Sequence, residues 1–127
     1  MTDSYDDGMR VRREVLGDEH VDRSIARTTD LTRDFQEHIT RRAWGDVWAR
    51  DGLARRERSL MTIALMTALR AEDELALHVR AAVRNGLTRA EIGEAIMHAG
   101  VYAGVPQANT AFAVAQRVLD ELGEDAP

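Results

Sequence analysis

Between Leu31 and Val47 an apolar side chain returns at every fourth position: Leu31, Phe35, Ile39, Ala43 and Val47. Residues four apart share one face of an α-helix, so "TTDLTRDFQEHITRRAWGDVWAR" is expected to form a helix with one apolar stripe. Gly45 is expected to loosen its last part. The stretch from Leu53 to Arg70 differs, because it holds "LMTIALMTAL" and is apolar nearly all round. That pattern predicts the central core helix. Upstream, "SYDDGMRVRREVLG" reads as a helix stopped by Gly17, and "DEHVDRS" as a polar connection. Downstream, "EDELALHVRAAVRNG" reads as a helix closed by Asn85-Gly86. Thr88 and Glu91 then form a capping box, and Gly104 and Pro106 separate the last two helices. No stretch sustains period-2 alternation. The expected fold is all-α, a compact bundle of about six helices in a single domain over residues 1–127, with sequential neighbours antiparallel.

Composition narrows the classes of function. A chain of 127 residues with 44% hydrophobic and 31% charged residues is ordinary for one globular domain. A net charge of -5 argues against nucleic-acid binding, which needs a basic face. There is no Cys, which removes disulfides and thiolate chemistry. The apolar run Leu60–Leu69 is far short of the ~20 residues that span a bilayer, so no membrane segment is expected. The opening residues are acidic and polar, unlike a signal peptide, and the cytoplasm is the expected compartment. All 17 basic residues are Arg. Compositional bias accounts for that, although the planar guanidinium also suits anionic substrates.

Few residues carry candidate chemistry. Glu74 and His78 lie four apart on one helical face. By spacing alone such a pair is most often a solvated ion pair, worth about 0.3–0.5 kcal/mol. Facing a cleft, an ionised Glu74 would orient the imidazole and favour its protonated form. His98, among Ile96, Met97 and Ala99, reads first as a core residue, and Tyr102 one turn on could share its face. Arg41-Arg42 and Arg55-Arg56 with Arg58 form two clusters from which a carboxylate clamp could come. No His-Glu-x-x-His, Gly-rich phosphate loop or Gly-x-Ser-x-Gly is present, so no metal site, nucleotide loop or serine nucleophile is expected.

The phrases "VRREVLGDEHVDRS", "FQEHITRRAWGDVW", "RRERSLMTIALMTAL" and "ELALHVRAAVRNGLTRAEIGEAIMHAGVYAGVPQANTAF" follow one another along the chain. Together they resemble the carboxymuconolactone decarboxylase family, over about Gly8 to Leu122. The resemblance implies an alkylhydroperoxidase D-like helical fold and a homo-oligomer, a trimer or hexamer. Peroxidase-type members of the wider group carry Cys-x2-Cys-x3-His. Ending that pattern on His78 places its thiols at Ala71 and Glu74, so thiol peroxidase chemistry is absent here. The activity implied is loss of CO2 from 4-carboxymuconolactone, a small dicarboxylate lactone, giving 3-oxoadipate enol-lactone in protocatechuate breakdown. No cofactor is implied, because the substrate holds its own electron sink. On this reading His78 is the proton donor, with Glu74 its orienting partner or relay. Arg58 is the first choice to bind a carboxylate and Arg41 the second. His98 and Tyr102 are donors near the enolate, and Trp44 walls the pocket. The alternatives are a related decarboxylase or lactone isomerase acting on another acid, and a non-catalytic helical oligomerisation module.

Overall fold

The computed structural model describes residues 4–123. Among them are seven α-helices, a π-helical segment and no strand, in agreement with the all-α expectation. The chain divides between Ala54 and Arg55 into two compact units.

The first unit contains α1 (Ser4–Leu16), α2 (Asp18–Ala26) and α3 (Arg33–Ile39). The π-helical segment Thr40–Trp48 continues directly from α3. Gly17, at φ 92, ends α1 and leads straight into α2. The expected polar connection is therefore a helix. Asp18 and Glu19 sit in its first turn, where the helix dipole favours acids, and Val21 is wholly buried. One buried residue in nine leaves little periodicity for a sequence reading to detect.

The apolar stripe is the larger surprise. Leu31 is 91% and Phe35 60% exposed, and Val47 is exposed as well. Thr40 and Trp44 are the residues of the π-helical segment that turn inward. Its wider turn, seen where the Ala49 amide bonds the Trp44 carbonyl, breaks the four-residue register on which the stripe depends. Glycine then fixes the docking of α1. A Cβ on Gly8 would stand 2.0 Å from the Thr40 carbonyl oxygen, and one on Gly45 2.2 Å from that of Ser4. The two backbones touch where no side chain intervenes.

The second unit is built from α4 (Arg55–Leu69), α5 (Glu72–Arg84), α6 (Arg89–Ala103) and α7 (Val105–Leu122). Helices α5 and α6 each pack against both α4 and α7. Sequential neighbours α5 and α6 thus lie on opposite sides of the α4–α7 pair. Ile63, Leu75, Val79, Ile92, Ile96 and Val118 fill the middle, each at most 1% exposed. Helix α4 is not the all-round core helix that its composition predicts. Ser59, Ile63 and Thr67 form its buried stripe, while Met61, Leu65 and Leu69 face outward. The two buried hydroxyls are satisfied: Thr67 donates to the Ile63 carbonyl, and Ser59 accepts from the Asn85 amide at 2.9 Å.

The connections follow the sequence closely. Asn85 caps α5, and Gly86 takes φ 93. Thr88 and Glu91 form the capping box of α6. Gly104, at φ 124, separates α6 from α7, with Pro106 in the first turn of α7. Arg56 braces this end, donating to the Gly86 carbonyl at 2.7 Å and to the Glu91 carboxylate. No described helix is long and apolar enough to cross a membrane.

Candidate active site

Helix α5 carries the central pair. Its N-cap is Ala71, so Glu72, Asp73 and Glu74 all lie in the first turn, where the helix dipole favours carboxylates. His78 follows one turn later on the Glu74 side of the helix. The pair is asymmetric: His78 is buried at 9% exposure, whereas Glu74 is exposed. Leu75, Val79 and Ala82, all buried, seat the helix on that side. A buried imidazole beside a solvent-reaching carboxylate is an arrangement that can pass a proton between solvent and an enclosed atom.

Arg58 lies in the first turn of α4, the helix against which α5 packs. Its side chain is half-buried, and its Nε–H is buried with no acceptor. A guanidinium with an unmet donor in a partly dry setting is a receptor for a carboxylate. Arg41 belongs to the first unit and is already engaged, 3.6 Å from Glu37 and with its guanidinium 5.1 Å from the centre of the Tyr5 ring. Trp44 is buried in that unit, its ring 5.2 Å from that of Trp48.

His98 is exposed, contrary to the core placement its apolar neighbours suggest. The neighbours on its own face are Tyr102, with ring centres 5.3 Å apart, and the residues of α4 across a shallow groove. That groove, about 550 Å³, is walled by Leu60, Met61, Ala64, Met97 and Val101. Tyr102 is 82% exposed. Within one chain, then, Glu74 and His78 share a face and Arg58 stands on the adjoining helix. His98 and Tyr102 form a separate, outward-facing pair on α6.

Sequence reasoning passed over Arg12. It is 5% exposed and sits among Gly8, Val11, Val15 and Leu16, the buried stripe of α1. The signal was there: an arginine at a position that helical periodicity assigns to the core. Burial holds its guanidinium below the usual arginine range, opposed by the nearby Tyr5 oxygen. Among the described residues no group of three or more His, Asp or Glu could hold a metal ion.

The described residues thus form an all-helical structure with a buried histidine one turn from an acid, and the sequence holds no thiol. Residues 33–117 match the carboxymuconolactone decarboxylase family, and the chain belongs to that family. It is 50% identical to the 4-carboxymuconolactone decarboxylase of Acinetobacter baylyi, over 94% of this chain and 89% of that protein. It is 45% identical to the nitrosuccinic acid decarboxylase of Metarhizium robertsii, over 93% of this chain and 82% of that one. A third relative, the 4-carboxymuconolactone decarboxylase of Pseudomonas putida, is 60% identical over 42 residues, 33% of this chain and 88% of that sequence.

Proposed function

We propose that the chain removes CO2 from 4-carboxymuconolactone, giving 3-oxoadipate enol-lactone, with His78, Glu74 and Arg58 as its working groups. The C–C bond to the γ-carboxylate breaks and its electron pair stays on the γ-carbon. The ring double bond carries that pair to the lactone carbonyl as a dienolate, and a proton then adds at the α-carbon. The protein's tasks are to hold a carboxylate, to stabilise the enolate oxygen and to deliver the proton. His78 delivers it. Glu74, exposed at the start of α5, orients the imidazole and restores its proton from solvent. Arg58 receives a carboxylate on its guanidinium. Two separate observations support these assignments: His78 is buried on α5, and Arg58, on the helix that packs against α5, has a buried Nε–H with no acceptor.

The test is direct. Purified protein should release CO2 from 4-carboxymuconolactone without added metal or nucleotide. His78→Gln should keep its helical content and lose roughly 100-fold or more in kcat, the scale of a lost general acid. Near-normal turnover by a folded variant would refute the role of His78. A second substrate is favoured by the nearly equal similarity to a nitrosuccinic acid decarboxylase. A nitro group beside the departing carboxylate is also an electron sink, so the same proton donor would serve. Comparing kcat/KM on the two acids decides between them.

A homo-oligomer, trimer or hexamer, belongs to the same reading. Met61, Leu65 and Leu69 on α4 and Met97, Val101 and Tyr102 on α6 are each about half exposed or more, an apolar surface of the kind that marks an interface. The compartment we assign is the cytoplasm.

A further inference from the structure

Two adjacent arginines on α1 meet opposite fates. Arg13 donates to Asp18 at 3.1 Å and reaches Asp22 at 2.9 Å, and these bonds raise its pKa. Arg12, far more buried, has no carboxylate within ion-pair distance among the described residues. Its Nη1 donates to the Thr40 hydroxyl at 3.2 Å. Its Nη2 donates to the Ser24 hydroxyl at 3.4 Å and to the Gln36 amide oxygen at 3.1 Å. Its Nε–H is buried and has no acceptor. All three partners are neutral, and a buried cation without a counter-charge is costly. Arginine stays protonated at any physiological pH, so it cannot escape the cost by losing its charge.

The guanidinium also borders a cavity of about 310 Å³ within the first unit. Tyr5, Met9 and Ile25 give it apolar wall, and Arg33 and Glu37 stand at its polar side. Arg33 is bonded to Asp30 and Glu37 lies near Arg41, so each of these charges already has a partner. Among the described residues that line the cavity, the charge without a carboxylate partner is that of Arg12. The cavity is at the small end of ligand pockets and fits a metabolite-sized molecule.

We propose that the first unit holds a binding site for a small organic acid, with its carboxylate on Arg12 and its carbon chain against Met9 and Ile25. The carboxylate supplies the missing counter-charge. The inference does not depend on the roles given to His78 or Arg58, because every residue it uses lies on α1, α2, α3 or the π-helical segment.

The probe is adipate, with neutral adipamide as control, followed through arginine Nε–H resonances of the 15N-labelled full chain. Adipate should shift the Arg12 signal saturably, and adipamide should not. The shift should persist in Arg58→Gln, which separates this site from the carboxylate receptor of the proposed active site. Arg12→Lys, which assigns the signal, should weaken adipate binding measured calorimetrically in the Arg58→Gln background at least tenfold. Because Arg12 joins several elements and its replacement could impair folding, Ile25→Glu provides a second arm. Ile25 is 48% exposed, so this variant keeps the core and puts a carboxylate of the protein's own at the cavity. It should abolish the adipate-induced shift. An Arg12 signal indifferent to adipate, a response equal for adipamide, or full adipate binding in either variant would overturn the proposal.

Discussion

In the proposed site His78 and Glu74 differ in burial: the imidazole is enclosed and the carboxylate is exposed. On the proposed roles Glu74→Gln should lower kcat less than His78→Gln with KM little changed, measured by steady-state kinetics. Arg58 is a different case. In the proposed role its loss would remove a charge-assisted bond to substrate of about 1.5–3 kcal/mol. Arg58→Ala should raise KM roughly ten- to a hundredfold, by steady-state kinetics, with kcat changed much less if the bond is equal in ground and transition states. That Glu74 and His78 share one helix was legible in the chain. Arg12 was passed over because a basic residue beside Arg13 reads as surface. The outward orientation of His98 was hidden because its neighbours Met97 and Val101 are themselves exposed apolar residues.

At the scale of elements, glycine contacts and one brace set the geometry. Gly8→Ala forces a methyl against the Thr40 carbonyl, backbone against backbone, where no flexible group can yield. Overpacking of this kind typically costs 1–3 kcal/mol or more, so a thermal melt should show loss of stability by at least ~1 kcal/mol. The Arg56–Glu91 brace predicts a pH effect. Bonds from Arg56 first, then from the Thr88 amide, hold the Glu91 carboxyl below the usual carboxylate range. Its folded pKa is thus below its unfolded one, near 4.3. The contribution is present above that pH and lost as pH falls toward the folded value. Glu91→Gln should destabilise the protein at pH 7 and flatten the acid side of its stability curve, measured by denaturant unfolding from pH 7 downward.

Helix starts and stops with a local chemical cause were readable: Asn85-Gly86, the Thr88–Glu91 capping box, Gly104 and Pro106 all act where the sequence places them. What depended on distant partners was not. The π-helical turn at Thr40 arises where α1 docks through Gly8, and no local pattern encodes a contact more than thirty residues away. The burial of Ser59 and Thr67 on α4, with leucines outside, inverts the usual rule for the same kind of reason: the hydroxyls find acceptors or donors across the packed helices or within their own turn.

At the scale of the molecule, the exposed apolar faces of α4 and α6 are the feature that a single chain leaves unexplained. If they are interfaces, Leu65→Glu should lower the mass measured by light scattering without loss of helical content. It should also reduce activity if a neighbouring chain completes the pocket.

Arg70 deserves a last thought as a matter of sequence choice. It is the one described residue other than glycine with positive φ, at 54°, and it stands two positions before α5 begins. Glycine would occupy that conformation more easily by about 1 kcal/mol. Yet glycine has no side chain to make the bond that Arg70 donates to the Thr110 hydroxyl on α7, at 2.9 Å. A chain redesigned for heat resistance would tempt its maker to place glycine there. The outcome would relax the bend and release the tie between the α4–α5 junction and α7, exchanging a fixed junction for ease of folding.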